Sequence, residues 1–196
     1  MTQPAIFLDR DGVLNRYLPG DYVKTPDELD VLPGAGEAVA RLNTLGYPVY
    51  LVSNQQGVAK GLMTDADLRA VDTKLHARVA KAGGTIRQSY YCTHHKDANS
   101  THRKPEPGMI LEAARDHDLD LSRSVFVGDT ETDAQAARAA GVGTFILVLS
   151  GKFAGRPEAA TDFTRFPVPP DYICADLPEA TDWIATQDAQ LLKSVG

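Results

Sequence analysis

The sequence predicts an α/β protein with a Rossmann-like, doubly wound, mainly parallel sheet and helices on both faces. Two observations carry this. Short apolar runs alternate with amphipathic helical stretches along the 196 residues, which is the pattern of βα units in a parallel sheet. Three of the runs stop abruptly in polar clusters: Asp9 with Asp11, Ser53 with Asn54, and Gly128 with Asp129. Parallel strands would bring those clusters to one sheet edge, where open α/β sheets place their ligands.

The first strand is Ala5 to Leu8, a buried run of four apolar residues that ends in turn chemistry at Asp9-Arg10-Asp11-Gly12. A loop rich in Gly, Pro, Asp and Tyr covers Asn15 to Pro26. Pro33-Gly34 opens a helix with Ala38, Val39, Leu42 and Leu45 on one face, and Gly46 stops it. Val49 to Val52 is the second strand. Thr64 caps a long helix with Leu68, Val71, Leu75 and Val79 in register, ended by Gly83-Gly84. Ile86 to Tyr91 is the third strand, and a polar loop runs from Cys92 to Lys104. A helix is expected from Glu106 to His117, a fourth strand over Ser124 to Val127, and a helix over Ala134 to Ala140. A fifth strand covers Gly143 to Val148. Phe153 to Pro170 holds four prolines and reads as a surface loop. Tyr172 to Cys174 and Leu177 to Ala185 close the chain as a short strand and helix. No repeat or low-complexity tract interrupts this order, so a single domain over residues 1–196 is expected.

Composition narrows the classes. A formal charge of −6 argues against a general nucleic-acid binder, which needs a basic face. No apolar segment reaches the length of a membrane span. Cys92 and Cys174 are far apart and make no disulfide framework. A cytoplasmic protein with no membrane or nucleic-acid partner is expected, and a monomer is favoured.

The chemistry concentrates at Asp9 and Asp11. In an extended segment, side chains at i and i+2 point the same way, so both carboxylates would converge. Converging carboxylates repel, and a hard divalent cation such as Mg2+ is the economical partner. Gly12 lets the backbone turn there and approach a ligand closely.

Asp9-x-Asp11-Gly12, strand-terminal Ser53, Lys104-Pro105 before a helix, and Gly128-Asp129-x-x-x-Asp133 together resemble the four motifs of the haloacid dehalogenase superfamily, over residues 5 to 148. The resemblance implies a capless phosphatase domain. Asp9 would be the nucleophile and Asp11 the general acid and base. Mg2+ would be held by the Asp9 carboxylate, the Asp11 backbone carbonyl and the Asp129 carboxylate, with Asp133 behind them. Ser53 and Lys104 would bind the phosphoryl oxygens. Three loops would roof an open site: Asn15 to Pro26, Gln55 to Met63, and Cys92 to Arg103. No stretch is long enough for a folded cap.

Finer motifs, including Gly20-Asp21-Tyr22-Val23, Ser53 to Gly61 and Arg103 to Met109, resemble the D-glycero-D-manno-heptose 1,7-bisphosphate 7-phosphatases and the related histidinol-phosphate phosphatases. This implies a sugar bisphosphate as substrate. Asn54 and Gln55 would position the phosphate, Tyr22 would contact the sugar, and Arg103 would read the second phosphate. Lys60 stands where these relatives usually carry arginine. A histidinol phosphate, another small phosphomonoester, or a non-enzymatic scaffold on this fold are the alternatives. Relatives also carry a four-ligand zinc loop. Here serine and histidine, Ser100 and His102, replace its last two cysteines. Cys92, His94 and His102 could still make a three-ligand zinc site; otherwise hydrogen bonds hold the loop.

Overall fold

The computed structural model describes residues 2–155, 163 and 166–194. Six strands form one parallel sheet: β1 (Ile6–Leu8), β2 (Val49–Asn54), β3 (Ile86–Cys92), β4 (Val125–Gly128), β5 (Thr144–Val148) and β6 (Tyr172–Cys174). Their spatial order is β3-β2-β1-β4-β5-β6, and every neighbouring pair is parallel. Among the described residues four α-helices join successive strands, α1 (Ala35–Thr44), α2 (Asp65–Lys81), α3 (Gly108–His117) and α4 (Glu131–Ala140), and a fifth, α5 (Leu177–Ser194), follows β6.

The alternation of side chains along β1 splits the core in two. Ile6 and Leu8 face α1, α2 and α5, packing with Val39, Leu42, Val71, Leu75 and Leu177. Phe7 faces α3 and α4, packing with Tyr50, Phe126, Ile110 and Ala137. The sheet is therefore doubly wound, as expected. The order reverses at β1, flanked by β2 on one side and β4 on the other. This switch point opens a crevice at the C-terminal strand ends.

Local chemistry explains most boundaries. α2 begins in a capping box, with Thr64 Oγ1 accepting from Asp67 N while the Asp67 carboxylate accepts from Thr64 N. α3 starts at Gly108 rather than Glu106. Pro105 and Pro107 precede it, and Pro107 occupies the cap. α5 runs beyond the expected Ala185 to Ser194. The expected loop from Phe153 to Pro170 lies partly outside the described residues. Within it, Phe153, Phe163 and Phe166 are buried against one another, with ring centroids 5.3–5.9 Å apart. No helix among the described residues is long and apolar enough to cross a membrane.

Candidate active site

β1 delivers Asp9 directly to the crevice: its backbone N–H donates to Val127 O on β4 at 3.0 Å, so the residue continues the ladder. Asp9 is only 8% exposed. Its Oδ1 accepts from Arg10 N at 2.7 Å and pairs with Lys104 Nζ at 3.0 Å. Ser53, near the end of β2, is buried beside the same carboxylate and helps hold it ionised. Lys104 is buried, and its ammonium also reaches Asp133 Oδ1 at 2.6 Å and Val52 O at 2.8 Å.

Asp129 follows β4, and Asp133 lies one turn into α4. Thr130 caps α4, and Asp133 Oδ2 accepts from the N–H groups of Asp129 and Thr130 at 3.2 and 3.0 Å. Both oxygens of Asp133 are thus committed, one to Lys104 and one to the helix cap. Opposite, Lys152 N donates to Asp129 Oδ2 at 2.7 Å. A side chain at Gly151 or at Gly12 would overlap the Asp129 carboxylate. Gly12 also needs its freedom from a Cβ because its φ is +87°.

Asp9, Asp129 and Asp133 bring one oxygen each within 4.8 Å of one another, all three buried. Burial raises the Asp9 carboxyl to about 6, aided by Asp133 and opposed chiefly by Lys104. Burial likewise pushes Asp129 well above the usual carboxylate range, reinforced by Asp133 and Asp9. Burial alone would lower Lys104, but Asp133 and Asp9 outweigh it and hold the ammonium at about 12. Three buried carboxylates against one ammonium leave excess negative charge. An all-oxygen donor set with that imbalance fits a hard divalent cation.

Asp11 departs from the expected convergence. Its carboxylate stays out of the buried acidic cluster because the chain turns at Gly12 and three side chains hold it elsewhere. Arg10 Nη2 donates to both of its oxygens at 3.1 and 3.0 Å, Asn15 Nδ2 to Oδ1 at 2.9 Å, and Gln55 Nε2 to Oδ2 at 2.8 Å. Arg10 is fully buried, lies over the Tyr91 ring and also donates to Gln55. Asp11 and Asp9 nevertheless line the same cleft.

Other expected positions sort differently. Asn54 lines the cleft, but its amide is spent on the backbone of Lys104, donating to its carbonyl at 2.9 Å and accepting from its N–H at 3.0 Å. Gln55 is buried behind Asp11 and does not reach the cleft wall. The side-chain amides of both thus hold residues of the site, Lys104 and Asp11. Sequence order placed them at a strand end without fixing their direction. Tyr22 does line the cleft, with Tyr17, Asp21 and Lys60. Arg103 does not. It precedes Lys104 in a turn, where Arg103 N donates to Ser100 O at 3.3 Å and Glu106 N donates to Arg103 O at 2.8 Å, and its half-buried side chain lies outside the cleft wall. Two of the three expected roofing loops line the cleft; the Cys92 to Arg103 loop does not.

That third loop encloses a separate depression with Cys92, His94, His102 and Glu112 in its wall. Ser100 sits among the expected zinc ligands: its Oγ lies 2.7 Å from His94 Nδ1 and 3.7 Å from Cys92 Sγ. His102 turns its Nε2 to Glu112 at 3.4 Å. Among the described residues these side chains do not converge closely enough to share a metal ion. The serine hydroxyl occupies the hub and hydrogen bonds tie the loop.

Sequence reasoning missed Arg10, Asn15 and Lys152. A charge embedded between two carboxylates at the end of a buried strand was the available signal for Arg10. Nothing in the sequence points to Lys152, which acts through its backbone.

A parallel sheet with two aspartates after its first strand, a buried lysine between carboxylates and an acidic cluster at the switch point defines a phosphatase of the haloacid dehalogenase-like hydrolases. The HAD-hydrolase-like family model matches residues 101–180. The D-glycero-D-manno-heptose-1,7-bisphosphate 7-phosphatase of Thermosynechococcus vestitus is 39% identical, covering 95% of this chain and 97% of its own. The Yersinia pestis D-glycero-beta-D-manno-heptose-1,7-bisphosphate 7-phosphatase is 36% identical over 92% and 97%. The crystal structure of the D,D-heptose 1,7-bisphosphate phosphatase from Bordetella bronchiseptica, complexed with magnesium and phosphate, superposes with a TM-score of 0.84 at 36% identity, covering 94% of this chain and 99% of that one. The chain belongs to the D-glycero-D-manno-heptose-1,7-bisphosphate phosphatase group of these hydrolases.

Proposed function

We propose that this chain removes the 7-phosphate of D-glycero-D-manno-heptose 1,7-bisphosphate through an aspartyl-phosphate at Asp9. The observation that carries the reading is the Asp9 carboxylate, fixed by Arg10 N–H and Lys104 and opening into a cleft of about 250 Å³, a size for a small molecule. The curated relatives named above support the substrate.

An Asp9 oxygen attacks phosphorus, and the bond from phosphorus to the sugar oxygen breaks. Asp11, gripped by Arg10, Asn15 and Gln55, gives a proton to the departing alkoxide. It then takes a proton from the water that attacks the phosphoryl group, releasing phosphate and restoring Asp9. Lys104 and the Ser53 hydroxyl balance the charge on the phosphoryl oxygens. The Asp9 and Asp129 carboxylates would hold Mg2+ together with the Asp11 carbonyl, while Asp133 braces Asp129 and Lys104 from behind. The bound ion supplies neutralisation of the repulsion between Asp9 and the incoming phosphate.

The reading treats residues 1–196 as one capless domain. The 26 residue numbers between Leu8 and Ala35 and the 10 between Asn54 and Asp65 hold loops and one short 3-10 turn, Pro26–Glu28. It also takes the enzyme as a cytoplasmic monomer, which sedimentation would check. The test of function is kcat/KM on a panel of heptose 1,7-bisphosphate, histidinol phosphate and other sugar phosphates. The heptose bisphosphate should lead; a preference for histidinol phosphate would move the substrate assignment to the sister group.

A further inference from the structure

Two cations line the cleft, Lys104 and Lys60. Lys104 is committed to Asp9, Asp133 and Val52 O. Lys60 is exposed at the mouth, and among the described residues it makes no ion pair. Asp21, a carboxylate on the wall formed by the Asn15 to Pro26 loop, is already spent: Oδ2 pairs with Lys24 Nζ at 2.6 Å, and Oδ1 accepts from Tyr22 N at 2.8 Å.

The position of Lys60 is braced. Its Nζ lies 5.5 Å from the Tyr22 ring centroid, within cation–π range. The same ring packs against Gly57, where an added Cβ would lie 3.1 Å from Tyr22 Cγ. Lys60 N donates to Gln56 O at 3.0 Å, closing the turn that carries it. The loops Asn15 to Pro26 and Gln55 to Met63 thus meet on one aromatic ring and hold a positive charge over the opening.

We propose that Lys60 receives the second phosphate of a bisphosphate substrate, with Tyr22 setting the position of its ammonium. This rests on the reading of Asp9 as the phosphate-accepting centre. Among the described residues that line the cleft, a substrate bound with one phosphate at Asp9 meets no other uncommitted cation. Arg103, the residue expected for this task from sequence, is not among the residues that line the cleft. Lysine offers a mobile point charge rather than a fork, so it reads the presence of the second phosphate more than its orientation.

The test compares kcat/KM for heptose 1,7-bisphosphate, fructose 1,6-bisphosphate and p-nitrophenyl phosphate on wild type, Lys60→Met, Lys60→Arg and Arg103→Ala. Lys60→Met keeps the apolar stem over Tyr22 and removes the charge. It should lower the ratio of bisphosphate to aryl phosphate kcat/KM by about tenfold, the low end for a charge-assisted contact at a solvated position. The loss should fall mainly in KM, and Lys60→Arg should recover it. Arg103→Ala should leave the ratio unchanged. A ratio untouched by Lys60→Met on both bisphosphates, or lowered by Arg103→Ala instead, overturns the proposal. If wild type favours fructose 1,6-bisphosphate over the heptose compound and the preference depends on Lys60, the heptose assignment fails and the role of Lys60 stands.

Discussion

Replacing Lys104 with methionine tests the electrostatic logic of the site. The side chain is 4% exposed and its ammonium touches Asp9, Asp133 and a strand carbonyl. Methionine fills similar volume, so packing changes little. What is lost is the one cation facing three buried carboxylates. Removing one partner of a buried pair commonly costs about 3–5 kcal/mol, because the other charge stays desolvated. Against a typical total of about 5–15 kcal/mol, that is a large fraction. The cost should depend on protonation. Asp9 already sits at about 6 with Lys104 present, and without it the carboxyl should rise further. At pH 8 without metal the variant should therefore lose most, and the gap to wild type should shrink toward pH 4 as the carboxylates take up protons. Mg2+ should recover part of the stability and none of the turnover, since phosphoryl oxygens also lose their donor. Urea unfolding at pH 4, 6 and 8, with and without Mg2+, reads this directly. A loss below about 1 kcal/mol at pH 8, or one independent of pH, would refute the reasoning.

Three further outcomes follow from the same geometry. Gly151→Ala should place a methyl group against the Asp129 carboxylate, raising the Mg2+ concentration needed for half-maximal activity at least tenfold while costing about 1–3 kcal/mol of stability; magnesium titration of activity checks it. Metal-free wild type should lose stability as pH rises: the folded-state carboxyl of Asp9 lies at about 6 against an ordinary 3.8, so its contribution is full below pH 3.8 and is lost through pH 6, a change of about 3 kcal/mol. Saturating Mg2+ should remove that slope in thermal unfolding. Elemental analysis should find far less than one zinc per chain, and Ser100→Ala should loosen the Cys92 to Arg103 loop to proteolysis, because the serine hydroxyl holds His94 and Cys92 together.

The strand ends were legible because the chemistry there is local. Asp9 ends an apolar run, Lys104 precedes a proline and a helix, and Asp129 follows Gly128 at the end of β4. Alternation of strands and helices then implied the parallel sheet, while its strand order, and with it the switch point, is visible only in the fold. Directions were not legible. Asn54 and Gln55 come at the end of β2 beside the site, yet their side-chain amides turn to hold Lys104 and Asp11. Asp9 and Asp11 share an i, i+2 spacing, yet the turn at Gly12 and the Arg10 clamp separate their carboxylates. Arg103 and Lys60 show the same limit: which way a side chain leaves a loop depends on contacts between loops, for Lys60 on the Tyr22 ring. The support of Asp129 by Lys152 runs through a backbone N–H, which any residue but proline supplies.

The nucleophile is the claim on which everything else depends, and one measurement addresses it. Turnover of a sugar phosphate with Mg2+ is stopped with acid, the acyl phosphate is reduced with borohydride, and the protein is digested and sequenced by mass spectrometry. A phosphorylated aspartate becomes homoserine under this treatment. The account predicts homoserine at position 9, appearing only when both substrate and Mg2+ are present and absent in Asp9→Asn. Homoserine at another aspartate, or Asp9→Asn retaining a tenth or more of wild-type kcat, would contradict it.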